Sequence, residues 1–153
     1  MDYPRQAITV RHNVEAAHRL YLLPGKCEAI HGHSFDVSMG LHGEVDKNGM
    51  VCGLDFGVVK RHFRDYLDAQ YDHRLLLNQA DPFASKVAII DDAGGNDWRY
   101  LPGVRACNGD PTTENMAQWI GEWAVEVFTS WGVPYVSIDV HETAVNAASW
   151  HSA

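Results

Sequence analysis

Basic residues are scarce in this chain: 12 Lys and Arg stand against 20 Asp and Glu, a formal net charge of −8 with histidine neutral. Nucleic-acid binders usually carry a basic face, so this balance argues against such a partner. An anionic small substrate stays open, because a few local cations can offset the background field. Cysteine is scarce too. Three residues, an odd number, fit free thiols rather than a disulfide framework. No apolar run approaches the length of a membrane span, and Met1 to Gln6 lacks the apolar core of a signal peptide. The expectation is a cytoplasmic protein with no membrane partner. Internal repeats and low-complexity segments are missing. At 153 residues and 46% hydrophobic content, the simplest organisation is one domain, residues 1–153, around one core.

What the chain has in quantity is histidine, nine in all. Two of them flank a glycine in Cys27-Glu28-Ala29-Ile30-His31-Gly32-His33. Strand side chains alternate with period 2, so His31 and His33 share a face if this segment is extended. Phe35, Val37, Met39, Leu41 and Gly43 continue their parity, while Ser34, Asp36, Ser38, Gly40 and His42 take the other. That alternation predicts a half-buried strand from Ser34 to Val45, entered through the histidines. Ile8 to Leu20, with Ile8, Val10 and Val14, reads as an earlier strand. Pro24-Gly25 breaks the chain between the two and leaves Cys27 on a loop. Antiparallel pairing across that loop brings His18 to His31 and His33. Three neutral imidazoles with one position open make a catalytic rather than a structural zinc site. Zinc there can polarise a substrate oxygen. The H-x-H pair alone is a weak signal, since two exposed strand histidines have the same spacing. Cys27 upstream and His18 opposite strengthen it.

The rest of the chain supplies the scaffold. Asp46-Lys47-Asn48-Gly49 is a turn, and Met50 to Leu54 reads as a short returning strand. Asp55 is a helix N-cap, followed by an apolar stripe at Val59, His62, Phe63, Tyr66 and Leu67. Tyr71 to Asn78 is short and apolar after a polar head. Periodicity fades from Gln79 to Gly109, where Lys86 to Ile90 reads as a strand and Asp91 to Asp97 as a loop. Asp110 to Asn115 opens a second helix, with a capping side chain and Pro111 at or near its first position. Its stripe is Met116, Ile120, Trp123, Val127 and Trp131, and Gly132 ends it. Tyr135 to Thr143 alternates as a last strand. The class is α+β: an antiparallel sheet with two principal helices on one face.

Several further residues carry chemistry. Cys27 is open to four readings: a fourth zinc ligand, a nucleophile, a general base or an inert thiol. Asp72-His73 forms a carboxylate-oriented imidazole if the backbone bends, since neighbours on a straight strand face opposite ways. The plain alternative is a capping Asp beside a surface His. Glu142 falls on the apolar parity of Val136, Ile138 and Val140, where a carboxylate needs a partner. It either accepts paired hydrogen bonds from an amidine-like ligand edge or ends the strand in water. Glu114 is first-turn helix chemistry. Trp119, Trp123, Trp131 and Trp150 read as packing, and Cys52 and Cys107 as buried or incidental thiols.

Taken together, Glu15-Ala16-Ala17-His18-Arg19-Leu20, Cys27-x-x-x-His31-Gly32-His33-Ser34-Phe35, Leu54-Asp55-Phe56, Asp72-His73-x-x-Leu76-x-Asn78, Pro111-Thr112-Thr113-Glu114-Asn115 and Val140-His141-Glu142-Thr143 resemble one family in order and over most of the chain. It is the family of 6-pyruvoyl-tetrahydropterin synthase and 6-carboxytetrahydropterin synthase. The resemblance implies the tunnelling fold, in which subunits assemble into barrels, commonly hexamers with active sites between subunits. It implies zinc on His18, His31 and His33, a catalytic Cys27, and a catalytic pair in Asp72 and His73. It implies a pterin anchor in Glu142 and a pterin-lining segment at Thr112, Thr113 and Glu114.

Three residues between Cys27 and His31 look like the 6-carboxytetrahydropterin branch of queuosine and deazapurine biosynthesis; the pyruvoyl branch tends to a longer spacing. The activity so implied is a zinc-dependent carbon–carbon lyase acting on 7,8-dihydroneopterin triphosphate. It would yield 6-carboxy-5,6,7,8-tetrahydropterin, acetaldehyde and triphosphate. The alternatives are pyruvoyl chemistry, in which triphosphate leaves and the side chain is kept, and a non-catalytic zinc- or pterin-binding paralogue. The departure from the family pattern is the longer 79–109 segment. Arg99 and Arg105 within it either meet phosphates or form surface salt pairs.

Overall fold

The computed structural model describes residues 6–84, 86 and 103–153. Strand β1 (Gln6–His18) pairs antiparallel with β2 (His31–Gly43) through thirteen partners, from Gln6 opposite Gly43 to His18 opposite His31. Helix α1 (Phe56–Gln70) follows, then β3 (Arg74–Asn78), β4 (Val104–Cys107), helix α2 (Thr113–Phe128), β5 (Tyr135–His141) and β6 (Ala147–His151). The sheet order is β4-β3-β1-β2-β5-β6.

The α+β class and the two helices are as the sequence predicts. The sheet differs at one edge. β1, β2, β5 and β6 are antiparallel, but β3 runs parallel to β1 and β4 parallel to β3, so the sheet is mixed. The reason is connectivity. β3 leaves a helix and re-enters beside β1 through a helical crossover, which parallel pairing requires. Val104–Cys107 lies inside the stretch expected to be irregular, and a further strand, β6, follows the one the sequence reads as the last. Met50–Leu54 is no strand either: only an isolated bridge joins Val45 and Val51. The strand expected at Lys86–Ile90 and the loop at Asp91–Asp97 fall almost wholly outside the described residues, as does Arg99.

One face of the sheet is covered. Ile8, Val10, Val14 and Ala16 of β1, Phe35, Val37, Met39 and Leu41 of β2, and Val136, Ile138 and Val140 of β5 all point into a single core. Val59, Phe63 and Leu67 of α1 and Met116, Ala117, Ile120, Ala124 and Phe128 of α2 fill it from the other side. Burying each large side chain there contributes about 1.5–3 kcal/mol. The α2 stripe is rotated from expectation: Ala117, Ala124 and Phe128 are buried, while Trp123, Val127 and Trp131 sit half-buried at its margin. Small residues share the centre with Met116, Ile120 and Phe128, and α2 lies close on β6 at Gly121. A Cβ on Gly121 would meet the Trp150 ring at 2.0 Å. Tyr66 stacks on Trp123 with ring centroids 3.9 Å apart, tying α1 to α2.

Both helices start where the sequence indicates. The Asp55 side chain accepts from the Val58 N–H and caps α1, a bond worth about 1 kcal/mol. Thr112 caps α2 by accepting from the Asn115 N–H, and Pro111 lies just outside the cap. No described helix is long and apolar enough to cross a membrane.

Candidate metal and ligand site

The β1–β2 ladder ends in the histidine cluster. His18 lies on the core parity of β1, fully buried, and His31 and His33 continue the core parity of β2. One ring nitrogen from each of His18, His31 and His33 lies within 4.8 Å of the others. Phe35 floors the cluster, its ring 5.6 Å from that of His18 and 5.4 Å from that of His33.

The hydrogen bonds fix the protons. His18 Nδ1 is 2.8 Å from the Pro111 carbonyl, and His31 Nδ1 is 2.8 Å from the Ala29 carbonyl. A carbonyl can only accept, so each Nδ1 carries a hydrogen, and in the neutral ring this leaves the lone pair on Nε2. Those two Nε2 atoms are 3.0 Å apart. Nε2 of His33 is buried without a hydrogen-bond partner. Burial lowers the pKa of His18, and the neighbouring His31 and His33 lower it further; the Pro111 bond and Glu142 oppose but do not cancel this. Neutral imidazoles whose outer N–H groups are held by carbonyls are oriented as metal ligands. Three converging nitrogens fit zinc, which three histidines bind with a fourth position open.

Glu142 follows β5 on its core parity and closes the cluster. Its Oε1 lies 3.5 Å from His33 Nε2 and 3.7 Å from His18 Nε2. The same residue lines a cleft of about 470 Å³ together with Cys27, Thr112, Thr113 and Glu114. The cleft therefore brings together five of the predicted residues, and Glu142 joins it to the histidines. Cys27 is exposed there, on a single 3₁₀ turn, Lys26–Glu28.

Asp72 and His73 do form a pair, with Asp72 Oδ2 2.7 Å from His73 Nδ1. The required backbone bend is present: His73 has a positive φ of 55°. The other Asp72 oxygen accepts from the Glu15 N–H at 2.8 Å, and His73 N–H donates to the Glu15 carbonyl. Partial burial acts to raise the Asp72 pKa, but the Glu15 hydrogen bond and His73 outweigh it, and the carboxyl is held below its usual value. The pair is not on the Cys27 cleft. His73 lines a separate cavity of about 590 Å³ with His33, Glu15, Ser34 and Arg74.

Sequence reasoning missed the carbonyls that orient the ligands, since no residue type marks them. It also missed Asp110. That buried carboxylate accepts from Leu22 N–H and from the Asn78 side chain, each at 2.9 Å, and fixes the loop beside the cleft. Arg105 forms no salt pair among the described residues. Its guanidinium lies over the Tyr71 ring at 4.4 Å and donates to Gln70.

The family model described as 6-pyruvoyl tetrahydropterin synthase matches residues 7–152. A 6-carboxy-5,6,7,8-tetrahydropterin synthase of Rickettsia typhi is 33% identical over 110 residues, covering 71% of this chain and 72% of the relative. One of Synechocystis is 32% identical over 144 residues, covering 90% of this chain and 87% of the relative. The structure of 6-pyruvoyl tetrahydropterin synthase from Plasmodium falciparum matches with a TM-score of 0.73 at 20% identity, covering 96% of this chain and 97% of that one. At that identity the likeness speaks for the fold.

Proposed function

The chain belongs to the 6-pyruvoyl tetrahydropterin synthase family, and from that premise we propose that it is a zinc-dependent lyase of pterin metabolism. Its substrate is 7,8-dihydroneopterin triphosphate, and its products are 6-carboxy-5,6,7,8-tetrahydropterin, acetaldehyde and triphosphate, in the deazapurine branch that leads to queuosine. Its place of action is the cytoplasm. The observation that carries the reading is Glu142, which both lines the thiol-bearing cleft and approaches Nε2 of His18 and of His33 in the histidine cluster. A ligand held by Glu142 is thereby presented to both.

The residues divide the work. The Glu142 carboxylate accepts two N–H bonds from the pterin edge, a charge-assisted pair that fixes orientation. Thr112, Thr113 and Glu114 line the wall beside it. His18, His31 and His33 would hold zinc. When bound, the ion would supply Lewis acidity that favours loss of protons from the substrate's side chain. Cys27 removes and returns protons on the cleft side. His73 moves protons through Nε2, because Asp72 occupies Nδ1 and holds the tautomer.

His73 and Cys27 line different cavities of one subunit. This supports a homo-oligomer, a hexamer by family resemblance, in which His73 of one copy completes the Cys27 cleft of the next. Replacing Cys27 with Ala tests the assignment of the thiol. Turnover falls by about 10²–10⁴-fold, the range of a lost general acid–base group, while zinc content stays unchanged. Zinc lost along with activity would make the thiol a ligand and overturn the scheme.

A further inference from the structure

The turn that carries Cys27 has little of its own to hold it. None of Lys26, Cys27 and Glu28 is buried, and the turn's N-cap, Gly25, offers no side chain. Its internal bonds are two long backbone contacts, Glu28 N–H to Gly25 O at 3.2 Å and Ala29 N–H to Lys26 O at 3.3 Å. A thiol that must meet a substrate atom needs firmer placement than this.

Arg19 provides it. This residue directly follows His18, and its guanidinium reaches the turn from the end of β1. Nη1 donates to the Glu28 carbonyl at 2.7 Å, and Nη2 lies 3.6 Å from the Glu28 carboxylate. The Leu20 N–H donates to the Cys27 carbonyl at 3.0 Å, so the same stretch of chain grips the turn twice. Behind the guanidinium stands Asp81, whose side chain is wholly buried. Arg19 Nε donates to its Oδ2 at 2.9 Å. The other carboxylate oxygen accepts from Phe83 N–H at 2.8 Å, and the Phe83 ring lies 5.5 Å from the guanidinium carbon. Asp81 is thus fixed, and it fixes Arg19.

We propose that Arg19 and Asp81 form a positioning pair that sets the Cys27 thiol relative to the His18 ligand. Because His18 and Arg19 are adjacent, one dipeptide governs both halves of the site. Asp81 and Phe83 open the long 79–109 segment, so that segment begins as a support of the active site rather than as surface decoration. A guanidinium is needed here because its planar fork bonds two groups in different directions at once; a lysine supplies the charge but only a point of contact.

The proposal rests on the reading of Cys27 as a reacting group, and its test separates the two. Arg19→Met, Arg19→Lys, Asp81→Asn and Cys27→Ala are prepared with zinc. Each is assayed for zinc content and for kcat and KM with dihydroneopterin triphosphate, and the wild type and the variants that keep the thiol are assayed for the rate at which iodoacetamide alkylates Cys27, located by mass spectrometry. The alkylation rate needs no turnover. The pair predicts zinc content unchanged in all, and kcat lowered about 10²-fold in Arg19→Met with KM little changed, as expected for a group displaced by about 1 Å. Alkylation at Cys27 is several-fold faster in Arg19→Met and Asp81→Asn, and Arg19→Lys lies between wild type and Arg19→Met. The double variant Arg19→Met/Asp81→Asn is no worse than the worse single one, since the two act as a unit. Wild-type kcat and alkylation in Arg19→Met and Arg19→Lys overturn the proposal, as does a fall in kcat that simply follows zinc loss. Full activity of Cys27→Ala overturns instead the role of the thiol, whatever the alkylation rates are.

Discussion

His18 and His31 are partners at the end of the β1–β2 ladder, with Nε2 atoms 3.0 Å apart, and as neutral rings they turn two lone pairs toward each other. Their Nδ1 hydrogens are committed to Pro111 and Ala29. Two facing lone pairs are accommodated when a cation lies between them.

Metal binding is accordingly linked to folding. Zinc at about a thousand times its dissociation constant adds about 4 kcal/mol to stability. Chelation lowers the melting temperature of the wild type, whereas His31→Ala binds well under one zinc per subunit and melts at the same temperature with and without chelator. Atomic absorption and thermal melts check this. A His31→Ala protein holding full zinc would contradict the ligand assignment.

Glu142→Gln separates anchor from ligand. A carboxamide keeps the size but loses the charge that strengthens both bonds to the pterin, each worth about 1.5–3 kcal/mol. Pterin affinity, measured by calorimetry, falls about 10²-fold or more, while zinc content is unchanged. Zinc loss in this variant would instead make Glu142 a metal ligand, a role that its approach to His18 and His33 keeps within reach.

Sites shared between subunits make a sharper prediction. Cys27→Ala and His73→Ala are each inactive as pure oligomers. When the two are dissociated, mixed equally and reassembled, about one site in four regains both residues, because each neighbour supplies one of them independently. Recovery of activity in the mixture supports the arrangement; none at all places both residues in one subunit's site.

Alkaline stability follows from Cys107. Burial pushes its thiol from 9.0 up to about 11, with Arg105 opposing. Between those values the unfolded chain has lost the proton and the folded chain still holds it. Stability therefore falls as pH rises through this window, by about 2–3 kcal/mol at most. Urea unfolding at about pH 8 and about pH 11 measures the loss, and Cys107→Ala removes its own share of it. An unchanged pH slope in that variant would show the thiol to be solvated.

The β1–β2 pair and its three histidines were legible because everything they needed is local: two period-2 runs, a breaking Pro24-Gly25, and a short loop that forces antiparallel return. Glu142 was legible for a related reason, as the one acid on an apolar parity. The β3–β4 edge was not. β4 is four residues long, and its parallel pairing depends on a crossover that no periodicity encodes. β6, Ala147–His151, turns only Ala148 and Trp150 toward the core, too short an apolar parity to mark a strand in the sequence. The Asp72–His73 contact was visible only as a condition, a bend at His73 that a positive φ meets. Arg19 and Asp81 stand 62 residues apart, and nothing in either neighbourhood points to the other.

The measurement that goes most directly to the central claim is a product assay. Zinc-loaded protein is given 7,8-dihydroneopterin triphosphate, and acetaldehyde and the pterin product are quantified together. The account predicts acetaldehyde and 6-carboxytetrahydropterin in equal amounts, with triphosphate released. A pyruvoyl product without acetaldehyde, or no consumption of substrate at all, would contradict it.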